Sequence, residues 1–160
     1  TRQRLIGTGF APCRTQAFPH DATTLEIWGR IGPQAANFGG KIGVVGESLT
    51  AVQGRYRPGE TFGISVGLLA LTPPNIDYSL GVHVIDAAGR LVAQNDGPPG
   101  NRPTSGWEPS SRFCDYRTLT APSTAGDYTV QAVLYDPISG ERLQLPDGRD
   151  SLPLLMFRVE

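Results

Sequence analysis

The sequence predicts an all-β protein: an antiparallel, immunoglobulin-like β-sandwich of about seven strands preceded by an irregular N-terminal extension. Three observations predict it. From residue 42 onward apolar side chains alternate with a period of two, turn signals built from glycine and proline separate the alternating runs, and no stretch shows a convincing helical period. The chain has 20 glycines and 14 prolines among 160 residues, a turn-rich share that still lies below the level at which composition alone argues disorder. This length suits one domain with a real core and makes a second improbable. Residues 1–40 are therefore read as an extension packed on the sandwich, and residues 41–160 as the sandwich itself.

In the extension, Phe10, Phe18, Trp28 and Phe38 are scattered among Pro, Gly and Thr, and only residues 24–28 look strand-like. Residues 42–46 supply the first sandwich strand. In Tyr56-Arg57-Pro58-Gly59-Glu60, Pro58 presets φ and Gly59 accepts positive φ, the requirement of a type II turn. The run TFGISVGLLAL, residues 61–71, puts Phe62, Ile64, Val66, Leu68 and Ala70 on one face with Gly63, Ser65 and Gly67 opposite. Residues 78–86 set Tyr78, Leu80, Val82 and Val84 against Ser79, Gly81 and His83, and Asp86-Ala87-Ala88-Gly89-Arg90 returns the chain into residues 91–94 as a hairpin with a bulge. Further strands follow at residues 113–119, 128–135 and 154–159, with Asp136-Pro137-Ile138-Ser139-Gly140 as another turn. Tyr128 opens its strand two residues ahead of the core position Val130, the spacing of a tyrosine corner; the plainer reading makes it one more inward aromatic.

With 14 basic and 15 acidic residues the chain has no single-sign field to gather phosphate, so nucleic acid is not an expected partner. No apolar run reaches the roughly 18 residues of a membrane span, and no transmembrane segment is expected. The chain opens on Thr1, as it would after loss of a signal peptide or a membrane portion. Cys13 and Cys114 lie too far apart for a CxxC redox or metal site. A disulfide between them is the first expectation and suits an exported domain; the alternative is two unrelated buried thiols.

Ser65, in GISVG, matches the G-x-S-x-G pattern of a hydrolase nucleophile, but that motif works only on a sharp strand-to-helix turn and here it sits within an alternating strand. His83 lies mid-strand and His20 in the extension, and the sequence assigns neither an orienting carboxylate. Asp77, Asp86, Asp96, Asp115, Asp136, Asp147 and Asp150 read as loop carboxylates without calcium-loop spacing, and no phosphate loop or dinucleotide fingerprint is present. No catalytic residue, metal or cofactor is expected. The loop DGPPGNRPTSGW, residues 96–107, is stiffened by three prolines. Its Trp107 either folds back to plug the end of the core or, with Arg102 and Arg112, offers a stacking face and donors to a sugar. Asp96 and Tyr116 complete the candidate binding set.

Several spaced motifs carry a resemblance over residues 37–160. They are Tyr56-x-Pro58-Gly59-Glu60; His83-Val84-Ile85-Asp86-x-x-Gly89-Arg90-Leu91-Val92-Ala93-Gln94-x-Asp96-Gly97-x-Pro99; Pro103-Thr104-Ser105-x-Trp107-x-Pro109; Asp115-Tyr116-Arg117; and Gly126-x-Tyr128 with Leu134-Tyr135-Asp136-Pro137-x-x-Gly140-Glu141-Arg142-Leu143. In this order they resemble the C-terminal extracytoplasmic β-sandwich of bacterial multi-pass membrane glycosyltransferases of the dolichyl-phosphate-mannose mannosyltransferase-like type. The resemblance implies a domain carried outside the membrane, on the cell surface or secreted, in which sugar transfer belongs to a membrane portion this chain lacks. The cysteine pair and the residues before Asn37 depart from the pattern. The expected function is a non-catalytic accessory domain contacting glycan, acceptor or a membrane protein partner. The rival is a structural interaction module that docks through an exposed sheet edge, or a subunit of a larger extracellular or membrane-associated assembly.

Overall fold

In the computed structural model, residues 10–18, 23–30, 34–45 and 54–160 are described. Eleven strands stand among them: β1 (Phe10–Phe18), β2 (Thr23–Arg30), β3 (Gln34–Phe38), β4 (Ile42–Val45), β5 (Arg55–Tyr56), β6 (Thr61–Ala70), β7 (Ser79–Asp86), β8 (Leu91–Gly97), β9 (Arg112–Thr120), β10 (Gly126–Tyr135) and β11 (Leu152–Val159). They form a two-stranded sheet β1-β2, a five-stranded sheet β5-β11-β10-β7-β8 and a four-stranded sheet β3-β4-β6-β9. The two larger sheets make the sandwich. All pairings are antiparallel except the short parallel contact of β5 with β11.

The period of two does what it predicts. Ile64, Val66 and Leu68 of β6 face Leu80, Val82 and Val84 of β7 and Val130, Ala132 and Leu134 of β10 across one core. Each such valine, leucine or isoleucine side chain contributes about 1.5–3 kcal/mol by leaving water. Aromatic side chains close the ends. Tyr56, Phe62, Tyr128 and Phe157 cluster at one end, Tyr56 stacked on Phe62 with ring centres 4.4 Å apart and both edge-on to Phe157, which stacks on Tyr128. At the other, Trp107 stacks on Phe113 at 4.2 Å.

Turn chemistry fixes the register. Gly59, at φ 74°, follows Pro58 in the type II position while Glu60 N–H donates to Arg57 O. In the β7–β8 hairpin, Gly89 at φ 78° lets the Asp86 and Arg90 backbones pair, and a register shift follows at Val84/Ile85. Tyr128 makes the corner bond: its hydroxyl donates to Thr124 O at 2.8 Å.

The described residues before 41 hold more regular structure than an irregular extension. The strand expected at residues 24–28 is β2, paired with β1, and β3 already belongs to the four-stranded sheet, so the sandwich begins ahead of the expected boundary. Cys13 of β1 is disulfide-bonded to Cys114 of β9. Val45, Gly67 and Cys114 are register partners in one row across β4, β6 and β9, and Cys13 packs with Val45, Cys114 and Leu69 in a second small apolar cluster. The hairpin therefore meets the outer face of the four-stranded sheet at this row. Small residues on that face make the approach possible. Tyr116 lies across Gly63, where an added Cβ would collide with its ring.

Candidate functional site

The candidate loop runs between the last residues of β8 and the first of β9. Asp96 and Gly97 were expected in the loop and instead end β8, because side chains clamp both faces of the strand there. On the inner face lies a buried ion pair. Asp115, 2% exposed, receives Arg117 Nη2 at 2.8 Å as well as Arg117 Nε, and Arg117 is itself only 8% exposed. Arg117 Nη2 also donates to Pro98 O at 3.1 Å and Gly97 O at 3.3 Å, while Gly100 N–H donates to Asp115 Oδ2 at 2.6 Å. Asp115, expected as a loop carboxylate, is thus an inward strand residue that anchors the loop. Low dielectric around this pair makes each bond strong and each missing partner costly.

On the outer face Asp96 meets two side chains from β10 and β7. Tyr135 Oη donates to Asp96 Oδ2 at 3.0 Å, and His83 Nε2 lies 3.3 Å from Oδ1 and 3.4 Å from Oδ2. Oδ1 is buried and has no hydrogen-bond partner of its own. Gly81 provides the room: a Cβ there would stand 2.5 Å from His83 Nε2 and 2.7 Å from Val133 Cγ2. Burial, followed by the bond to Asp96, pushes the Tyr135 hydroxyl above its ordinary value. The carboxylate that the sequence left unassigned for His83 is therefore Asp96, which alternation on two separate strands brings to one face.

The far half of the loop is held as firmly. Thr104 is fully buried; its hydroxyl donates to Ile76 O at 2.8 Å and accepts Tyr78 N–H at 2.9 Å. Ser105 N–H donates to Asp77 at 2.9 Å, and the Ser105 hydroxyl and backbone bonds hold the Asp77 carboxyl below its usual value. Pro99–Asn101 and Thr104–Gly106 form two single 3-10 turns.

Of the two readings for Trp107, the coordinates place its ring in the core: it is 4% exposed and its indole N–H has no partner. Arg102 remains exposed with its guanidinium 5.9 Å from the Phe113 ring centre, and Arg112 is exposed at the start of β9. Tyr116 is half-buried on the opposite sheet. The five candidate residues do not converge on one concavity. Ser65 is buried on β6, opposite Tyr116, without the elbow its motif requires; His83 belongs to the other sheet, and His20 lies outside the described residues. Among the described residues no group of three or more His, Cys, Asp or Glu side chains is placed to hold a metal, and no helix is long and apolar enough to cross a membrane.

No family model matches the chain, and no curated protein matches it. Among solved structures, one that the chain is similar to is titled "X-ray structure of Northeast Structural Genomics Consortium target SoR45". The identity is 12%, and the match covers 94% of this chain and 80% of that one at a TM-score of 0.29.

Proposed function

We propose that this chain is a non-catalytic, extracytoplasmic accessory domain of immunoglobulin-like type, which contacts a partner protein in association with a membrane glycosyltransferase-like protein. The observation that carries the choice of protein over glycan is the inward attachment of residues 96–107. Trp107 has its faces against Phe113 and the core, Thr104 is fully buried, and Arg117 and Asp115 tie the backbone down. A sugar-stacking platform needs an exposed aromatic face, so recognition is left to the surfaces of the sheets. The Tyr128 corner supports the immunoglobulin-like part of the reading, and the Cys13–Cys114 bond supports an oxidising compartment.

The test is site-specific photocrosslinking on intact cells, with the crosslinker at Gln94 on the sheet face or at Arg102 on the loop. The expected result is protein adducts from Gln94. Glycan adducts from Arg102, or a saturable change in tryptophan fluorescence on titrating mannose oligosaccharides, would overturn the choice of a protein partner.

A further inference from the structure

The β1–β2 hairpin stands apart from both sheets of the sandwich. Its strands pair with each other, and among the described residues they share no ladder with any other strand. A two-stranded hairpin is marginal by itself in water and needs a surface to lie on. It finds one at the row Val45, Gly67 and Cys114, and a bulge makes the attachment. Pro12 and Arg14 are the register partners of the adjacent residues Trp28 and Ile27, so Cys13 is the extra residue of β1, and it is the one bonded to Cys114. Around that bond Val45 is 1% exposed and Cys114 6%, with half-buried Cys13 and Leu69 packed against them. This small cluster is separate from the main core. Lifting the hairpin therefore uncovers the cluster and leaves the core between the two sheets closed.

We propose that the hairpin is a redox-released strap, docked on the outer face of the four-stranded sheet while Cys13 and Cys114 are bonded and freed from it when a dithiol reduces them. Its departure breaks no strand pairing of the sandwich. The separate contacts it makes with the sheet are each small beside a cross-link that closes 101 residues. The two sulfurs are unequally placed, since Cys13 is half-buried and Cys114 is nearly covered. A thiolate of the reductant therefore attacks Cys13 Sγ; the Sγ–Sγ bond breaks, and its electron pair leaves on Cys114 Sγ, which takes up a proton. The reductant's second thiolate then attacks its own sulfur in the mixed disulfide and displaces Cys13, which is protonated in turn. Two electrons and two protons reach the protein as two thiols, and the reductant departs as its disulfide. The strap is independent of which partner the sheets contact.

Hydrogen exchange of the full chain, oxidised and after reduction by dithiothreitol, reads the release directly. On reduction the protection factors of residues 10–18 and 23–30 should fall to within about tenfold of unity, while amides of β7 and β10 keep factors above about a hundred. Reoxidation should restore the hairpin, and Cys13→Ser/Cys114→Ser should show the reduced pattern without reductant. With glutathione as a monothiol probe and an acid quench, the trapped mixed disulfide is expected on Cys13. Hairpin protection that is the same before and after complete reduction overturns the strap. So does a bond that dithiothreitol leaves intact until the chain unfolds, because no reductant then reaches it in the folded protein. Loss of protection in β7 and β10 together with the hairpin overturns it as well, since the bond then sustains the whole fold. A glutathione adduct on Cys114 overturns the assigned order of attack.

Discussion

Replacing Arg117 by methionine is the most exacting probe of how the long loop is held. The substitution keeps the unbranched stem and removes the guanidinium, so it deletes two bonds to Asp115 and those to Gly97 O and Pro98 O while leaving packing nearly unchanged. Asp115, 2% exposed, then keeps the bond from Gly100 N–H but loses its counter-charge. Removing one partner of such a pair typically costs about 3–5 kcal/mol, which for a domain of this size lowers the melting temperature by about 10 °C. The double variant Asp115→Leu/Arg117→Met leaves no stranded charge. It forfeits chiefly the Gly100 N–H partner, about 1–3 kcal/mol, and should be more stable than Arg117→Met alone. Urea unfolding with the disulfide intact measures the equilibrium, and hydrogen exchange of the amides of residues 97–107 reports the loop. A loss below about 1 kcal/mol for the single variant, or strictly additive losses in the double, would refute the claim that this pair anchors the loop.

The remaining predictions follow the same logic. Denatured, unreduced protein should show no titratable thiol, and reduction of the bond between Cys13 and Cys114, which are 101 residues apart, should remove about 4–5 kcal/mol by the chain-entropy model; finding two thiols would sink it. Gly81→Ala should cost about 1–3 kcal/mol because its methyl displaces His83 from Asp96, whereas Gly106→Ala, with nothing within 4 Å, should cost almost nothing on thermal melting. The carboxyls of Asp77, Asp86 and Asp136 are held below their ordinary value, chiefly by bonds from Ser105, from the Arg90 backbone and from the Ile138 backbone respectively. Their contribution is present above the unfolded-chain value near 4 and is lost as pH falls through the lower folded values, so the protection factors of amides at these turns, taken against the intrinsic exchange rate at each pH, should fall between about pH 5 and about pH 3. Protection factors equal at both pH values would contradict it.

Strand positions were legible because alternation and turn residues agreed. All seven expected strands occur, and the type II turn at Pro58-Gly59 and the hairpin at Gly89 sit where their φ requirements place them. What the sequence did not disclose is polar chemistry that depends on register between strands distant in the chain. His83 and Asp96 are 13 residues apart, Tyr135 lies 39 beyond Asp96, and only the β8-β7-β10 order makes them neighbours. β3 and β5 were missed for a different reason: β3 is interrupted by a register shift and β5 has only two residues, too short for a period to register.

The inward pair was the most recoverable omission. Residues 113, 115, 117 and 119 must share one face once 113–119 is read as a strand, which puts Asp115 and Arg117 between Phe113 and Leu119 on the buried side. An acid and a base two apart on an inward face demand each other, since neither can be buried alone. They also demand further acceptors for the remaining guanidinium donors. Each of the three prolines in the loop removes an N–H donor while keeping its carbonyl, and Gly97 O and Pro98 O are the acceptors Arg117 finds. The composition that marked residues 96–107 as a conspicuous excursion thus suits it to be bound from below, and this is the physical reason to seek recognition on the sheets instead.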